Sequence, residues 1–256
     1  MRARIRLKSP EGTPEFTTPW DYHLSIHSWI QQSVQERAPK VAEEMHTNPM
    51  APPYAFSRLV PTRSGHTSIS EQHGLQMDDA FLWIVSSNQT VLESVMEAAQ
   101  TGNPPLTLGH TRAPVASVTI EDVEPYDQKA EYVTLSPIAV SMKREGLTKY
   151  LPYDDPMWGR RVVDLCQKQQ EEWYAGGADE EFKFDIQAVQ DANVTTRTSP
   201  GGHRQVDCTV ARLVITADAQ TSYHIQLQGV GARTGQGFGF VMPRLDLHDE
   251  ADPEVL

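Results

Sequence analysis

The chain has 256 residues, enough for two ordinary domains or one large one, and a hydrophobic content of 39% supplies real cores. No apolar run approaches the roughly 18 residues of a membrane span, and the start, with Arg2, Arg4 and Arg6, lacks a signal peptide's apolar centre, so a globular cytoplasmic protein without a membrane partner is expected. A net charge of −12 argues against the simplest nucleic-acid signature, a basic domain of high pI, and the balance of 15 arginines, 7 lysines and 34 acids suits a halophilic protein.

Acid is unevenly placed. It is dense from Leu245 to Leu256 and from Glu171 to Asp191, whereas Arg2 to Lys8 holds four cations and no acid. That first segment alternates strictly, Ala3, Ile5 and Leu7 against Arg2, Arg4 and Arg6, which predicts a half-buried strand with a cationic outer face. Pro19 and Asp21 open a helix to about Gln35, with Tyr22, Ile26 and Trp29 along one row and His23, His27, Ile30 and Val34 along the next. Both histidines lie on the apolar arc, where core packing competes with catalysis, and no Glu follows His23 as a zinc H-E-x-x-H helix requires. A second helix, Lys40 to His46, stops at Thr47-Asn48-Pro49 and leaves His46 at an end that favours an imidazolium.

Tyr54 to Val60 reads as a strand, followed by a polar loop containing Arg63, Gly65, His66 and His73. Phe81 to Ser86 is the next strand. Asn88 or Thr90 caps a helix that Gly102 ends, and Leu106 to Val123 supplies extended segments. The polar run from Tyr126 to Glu131 marks a boundary, giving domains 1–127 and 128–256. The order then repeats: a strand from Tyr132 to Met142, a helix opened by Asp155-Pro156 and ended by Gly176-Gly177, strands from Glu181 to Val189 and from Arg204 to Ala217, a helix or extended turn from Ala219 to Gln228, and a short strand from Phe238. Cys166 and Cys208 stand alone in a helix and a strand, as core residues rather than zinc ligands or a disulfide. Two successive βαββαβ patterns predict an α+β protein of two tandem ferredoxin-like (RRM-like) domains.

From Gly229 to Gly239 five glycines fall within eleven residues: Gly229, Gly231, Gly235, Gly237 and Gly239. Bare backbone of this kind either forms a flexible hairpin tip or turns its N–H groups toward phosphate, with Arg233 as a charged donor. The spacing fits neither the dinucleotide fingerprint G-x-G-x-x-G nor a P-loop, and no cofactor motif occurs elsewhere.

Three features coincide: the tandem units, the late Gly-rich stretch, and Thr134-Leu135-Ser136-Pro137-Ile138-Ala139-Val140 at the start of the second unit. Together with Met45-His46 and Tyr54-Ala55-Phe56-Ser57-Arg58-Leu59 they resemble the CRISPR-associated endoribonuclease that processes precursor repeat RNA, of the repeat-associated mysterious protein (RAMP) superfamily. The resemblance implies cofactor-free, metal-independent cleavage of CRISPR repeat RNA, in which the 2′-hydroxyl attacks the adjacent phosphate and leaves 2′,3′-cyclic phosphate and 5′-hydroxyl ends. It places His46 at the family's histidine position, suited to proton transfer by an unperturbed pKa near 6.5. The family's helix tyrosine and loop lysine are replaced by Ile30-Gln31-Gln32 and Met50-Ala51-Pro52, so Tyr22, His27 and Arg58 are candidate substitutes and Ser136 a candidate RNA contact. The rival reading is a non-catalytic RAMP subunit that holds guide RNA beside other subunits of an effector complex; a third, a small-molecule enzyme, lacks a supporting motif.

Overall fold

The structure is a computed structural model, and it describes residues 1–10, 15–47, 52–70, 74–173, 184–198, 205–247 and 249–252. The first half runs β1 (Arg2–Lys8), β2 (Phe16–Thr18), α1 (Tyr22–Arg37), α2 (Pro39–Thr47), β3 (Tyr54–Phe56), β4 (Val60–Pro61), β5 (Thr67–Ser70), β6 (Gly74–Met77), β7 (Asp79–Ser86), α3 (Gln89–Thr101), β8 (Thr107–Leu108), β9 (Thr111–Arg112) and β10 (Val115–Glu121). The second runs β11 (Gln128–Thr134), β12 (Ser141–Arg144), β13 (Leu147–Tyr150), α4 (Trp158–Trp173), β14 (Phe184–Thr198), β15 (Gln205–Ala217), α5 (Ala219–Gln228) and β16 (Val241–Pro243), with 3₁₀ turns at Thr234–Gln236 and Arg244–Asp246.

The main sheets are antiparallel, β10-β1-β7-β3 and β16-β11-β15-β14. Counted within its own unit, each reads fourth, first, third, second, which is the ferredoxin-like order, so the tandem α+β architecture read from the sequence stands. Local signals hold where they are strongest. Asn88 caps α3 by accepting from the Thr90 N–H at 3.0 Å, and Gly102 ends it in the left-handed region at φ +66°. Cys166 and Cys208 are buried free thiols, each pushed up to about 12 by burial.

Strand β7 explains how the halves join. All eight of its residues are buried. Ala80, Leu82 and Ile84 pack with residues of α1 and α3, while Phe81, Trp83 and Val85 pack with Val133, Leu135, Phe240, Met242 and Ala251 of the second half. A sheet buried on both faces needs a continuous apolar run, which is what Phe81 to Val85 provides.

Strand β1 lies in the same sheet and corrects the expected cationic face. Ala3, Ile5 and Leu7 are in the core as the alternation requires, but the arginines opposite them are matched by acids distant in sequence. Arg2 Nε donates to Glu121 at 2.7 Å, Arg4 Nε pairs with Glu121 at 3.1 Å, and Arg6 grips both oxygens of Asp79 at 2.9 and 2.6 Å. The Arg4 and Arg6 guanidiniums also cover the Phe81 ring at 5.3 and 5.5 Å.

Other expectations shift for local reasons. The strand expected from Tyr54 to Val60 divides at Ser57, whose hydroxyl accepts from the Trp83 N–H at 2.9 Å, and Arg58 N–H then donates to the Leu135 carbonyl at 2.6 Å. The chain thus bulges away from β7 at Arg58, aims that residue between the halves, and pairs with β7 again at β4. The polar loop after it contains β5 and β6, which form a small sheet with β2. The strand expected from Tyr132 to Met142 ends at Thr134, and β12 and β13 form a hairpin over Glu145 and Gly146, at φ +53° and +80°. Helix α4 starts at Trp158, with Asp155 Oδ1 accepting from the Met157 N–H ahead of it, and the last strand starts at Val241 rather than Phe238. The proposed stops at Asn48-Pro49 and Gly176-Gly177, the strand start at Glu181, and His73, Met50, Ala51 and Arg204 lie outside the described residues.

Candidate active site

Helix α1 sets His23, His27 and Gln31 in one i, i+4 row facing the 3₁₀ turn of the Gly-rich stretch. His23 is 2% exposed and meets the Phe238 ring edge-on, with centroids 6.2 Å apart, so it is a packed residue. His27 is half-buried, and its Nδ1 lies 2.5 Å from the Gly235 carbonyl oxygen and 3.1 Å from the Tyr54 hydroxyl. The carbonyl can only accept, so Nδ1 carries the proton and Nε2 is a bare acceptor. Tyr54 is fully buried and also meets the Gln31 side chain; burial raises its phenol well above the ordinary range and keeps it neutral.

His46 is exposed at the end of α2, which packs on α1. Its charge reaches His27: burial is the largest cause of the lowered His27 pKa, the hydrogen bond to Gly235 opposes it, and the His46 charge lowers it further. Two imidazoles, one held neutral and one in solvent, therefore share one end of the first unit. Tyr22 is placed differently. It is 4% exposed and its hydroxyl accepts from the Leu59 N–H at 3.0 Å, fixing the chain where Arg58 enters the cleft between the halves.

The Gly-rich stretch is a packed crossing rather than an open loop. The N–H groups of Gly229, Val230, Ala232, Gln236, Gly237 and Gly239 donate to the carbonyls of Ile225, Gly239, Ala139, Arg233, Thr234 and Pro137. All five glycines are buried, and each stands where a side chain would collide: a Cβ on Gly231 would lie 2.6 Å from the Ala139 carbonyl, one on Gly237 3.0 Å from His23 Cβ, and one on Gly239 would meet the Val230 carbonyl. These six amides are therefore committed to carbonyls within the fold. Arg233 is half-exposed, donating through Nε to the Tyr150 hydroxyl and through Nη1 to Gln236, each at 2.8 Å. Ser136 is 1% exposed and its hydroxyl accepts from the Phe240 N–H at 2.8 Å, so it pins the crossing instead of facing a ligand.

Sequence reasoning missed Tyr54, which reads as an apolar strand residue, and the Gly235 carbonyl. Gln31 could have been found from its spacing, four residues past His27. Among the described residues, no three or more His, Cys, Asp and Glu side chains converge as a metal site, and no helix is long and apolar enough to cross a membrane.

Tandem ferredoxin-like units, joined through a Gly-rich crossing, carry a histidine at the end of the second helix. Comparison with known proteins finds the same fold. Residues 120–243 match the family model described as CRISPR associated protein Cas6, C-terminal. Over 249 residues, 94% of this chain and 98% of the relative, the chain is 23% identical to the CRISPR-associated endoribonuclease-like protein Cas6nc of Pyrococcus horikoshii. The structure of the product of a Cas6-related gene from Pyrococcus furiosus superposes with a TM-score of 0.82 at 20% identity, covering 96% of this chain and 99% of that one. A structure described as a RAMP protein binding different RNA substrates superposes with a TM-score of 0.80 at 21% identity, covering 95% and 99%. Residues 120–243 are thus similar to the C-terminal part of Cas6, and the chain as a whole shares the fold of a Cas6-related protein and of a RAMP protein.

Proposed function

We propose that this protein cleaves CRISPR repeat RNA without a metal ion, with His27 and His46 as the proton-transfer pair. The observation that carries the reading is the His27 arrangement: Nδ1 held by the Gly235 carbonyl, and a second imidazole close enough to lower its pKa. His27 Nε2 takes the proton of the ribose 2′-hydroxyl, whose oxygen attacks phosphorus. The P–O5′ bond breaks, and the departing oxygen takes a proton from the His46 imidazolium. The products are a 2′,3′-cyclic phosphate and a 5′-hydroxyl, and each histidine ends in the other's starting protonation state. A lowered pKa keeps His27 neutral at neutral pH, as a base requires.

The test is incubation of end-labelled repeat RNA with the full chain in EDTA, followed by mapping of product ends. Cyclic phosphate ends are expected, and replacing the 2′-hydroxyl before the cut by hydrogen should abolish cleavage. Cleavage that stops on chelation overturns the mechanism. A second reading, a non-catalytic guide-RNA-binding subunit, is favoured by one observation: Gln31 stands within the segment where some members of the family carry a tyrosine, and here its side chain is hydrogen-bonded to Tyr54. Repeat RNA bound tightly and recovered intact supports that reading.

A further inference from the structure

A cleft of 610 Å³ opens between the halves, walled by the start of α1, by β6 and β5, and by the outer part of β14. Its volume suits a mononucleotide-sized ligand. Arg58 and Arg197 both line it, one from each half of the chain, and Asp21, exposed, is its single carboxylate. In a chain of net charge −12, two guanidiniums in one cleft are a departure from the surroundings. Arg58 is 8% exposed; burial lowers its pKa, Tyr22 opposes this, and the Arg197 charge lowers it further. Arg197 donates Nη1 to the Gly237 carbonyl at 3.3 Å, which fixes the guanidinium and leaves further N–H groups on its fork.

The rim is unusual as well. Trp29, Trp83 and Trp158 are 3%, 1% and 2% exposed, whereas Trp20 is 53% exposed at the cleft, beside Ile69 at 63%. An exposed indole beside paired arginines is the combination that holds a base by its face and a phosphate by its oxygens. The cleft is also tied to the candidate active site, because Gly237, held by Arg197, is two residues from Gly235, held by His27.

We infer that this cleft binds one unpaired nucleotide of the RNA, its phosphate between Arg58 and Arg197 and its base stacked on Trp20. The inference rests on the RNA-binding reading above and adds a site to it. It makes the cleft a sequence-tolerant grip on single-stranded RNA beside the turn that carries the histidines.

The experiment uses the full chain and two fluorescein-labelled probes, decauridylate RNA and the same ribose-phosphate chain without bases, read by anisotropy across a salt series. Arg197→Gln should weaken both probes by about tenfold and reduce the salt slope by about one. Trp20→Ala should weaken decauridylate by roughly tenfold and the abasic chain by less than twofold, and Trp20→Phe should restore most of the loss, because a stacked base discriminates a ring from a methyl. Trp20 is at the surface, so its variants test the site without disturbing a core. Decauridylate affinity within twofold of the unaltered chain in both variants, or equal loss of the two probes in Trp20→Ala, overturns the cleft. If the unaltered chain cleaves repeat RNA while the variants bind normally, the cleft alone falls; if it binds no RNA, the functional reading falls with it.

Discussion

His27 Nδ1 lies 2.5 Å from the carbonyl oxygen of Gly235, joining the first helix to the Gly-rich stretch across 208 residues of sequence. This contact fixes the tautomer, and the tautomer fixes which nitrogen can act as a base. His46 adds a charge that lowers the His27 pKa. In His46→Ala that influence is gone, so the His27 titration, followed by the NMR signal of its ring Cε1–H, should move upward while burial still holds it below the ordinary value. An unchanged titration separates the two imidazoles and removes the pair mechanism. The same variant should lose cleavage by roughly 10² or more, with repeat-RNA affinity within a few fold.

Arg6 tests whether the first strand holds RNA or the fold. Its guanidinium satisfies Asp79, whose side chain is only 6% exposed. Arg6→Ala leaves that buried carboxylate with only the Lys8 ammonium at 4.0 Å, for a loss of about 1–3 kcal/mol in urea unfolding. Affinity for repeat RNA in the folded protein should stay within twofold. A marked loss of affinity at unchanged stability would return the strand to the RNA surface.

How much of this was legible follows from where each cause lies. The alternation of Arg2 to Lys8, the caps of α3 and the repeated βαββαβ order are local signals, and they survive folding because tertiary contacts agree with them. The sheet of β2, β5 and β6 was not legible, because Thr67-Ser68-Ile69-Ser70 carries no apolar face to set a period of two. The Gly-rich stretch announces bare backbone, but what packs against it, Pro137, Ala139 and His23 among others, lies about a hundred residues away or more. The arginines of β1 were read without Glu121, Asp79 and Asp246, which only the fold brings to them. His46 was reached through family resemblance; the hydroxyl of Tyr54 and the guanidinium of Arg197 carry no local signal at all.

Two glycines separate backbone strain from collision. Gly146 has φ +80° with nothing within 4 Å of an added Cβ, whereas Gly239 has φ +69° and its Cβ would meet the Val230 carbonyl. Gly146→Ala should therefore cost about 1–2 kcal/mol, the left-handed penalty alone. Gly239→Ala should cost about 3 kcal/mol or more, because the crossing must open. Equal costs in urea unfolding would mean that the crossing is loose, and would restore the open phosphate-facing loop.

His224 links stability to pH. It is 2% exposed in α5, and burial lowers its pKa from 6.5 to about 4. Between these values the unfolded chain binds the proton and the folded chain does not, so acid favours unfolding. The stability is complete above pH 6.5 and is lost as pH falls toward 4; by pH 4.5 the loss is about 2–3 kcal/mol. His27, also lowered, contributes in the same direction. Carboxylates titrate in the lower part of this window, so the informative quantity is a difference. His224→Gln keeps a polar side chain of similar size that does not titrate, and its unfolding free energy should fall by about 2 kcal/mol less than that of the unaltered chain between pH 7.5 and 4.5. Equal falls would show that His224 takes up its proton in the folded state, through opening of the helix that buries it.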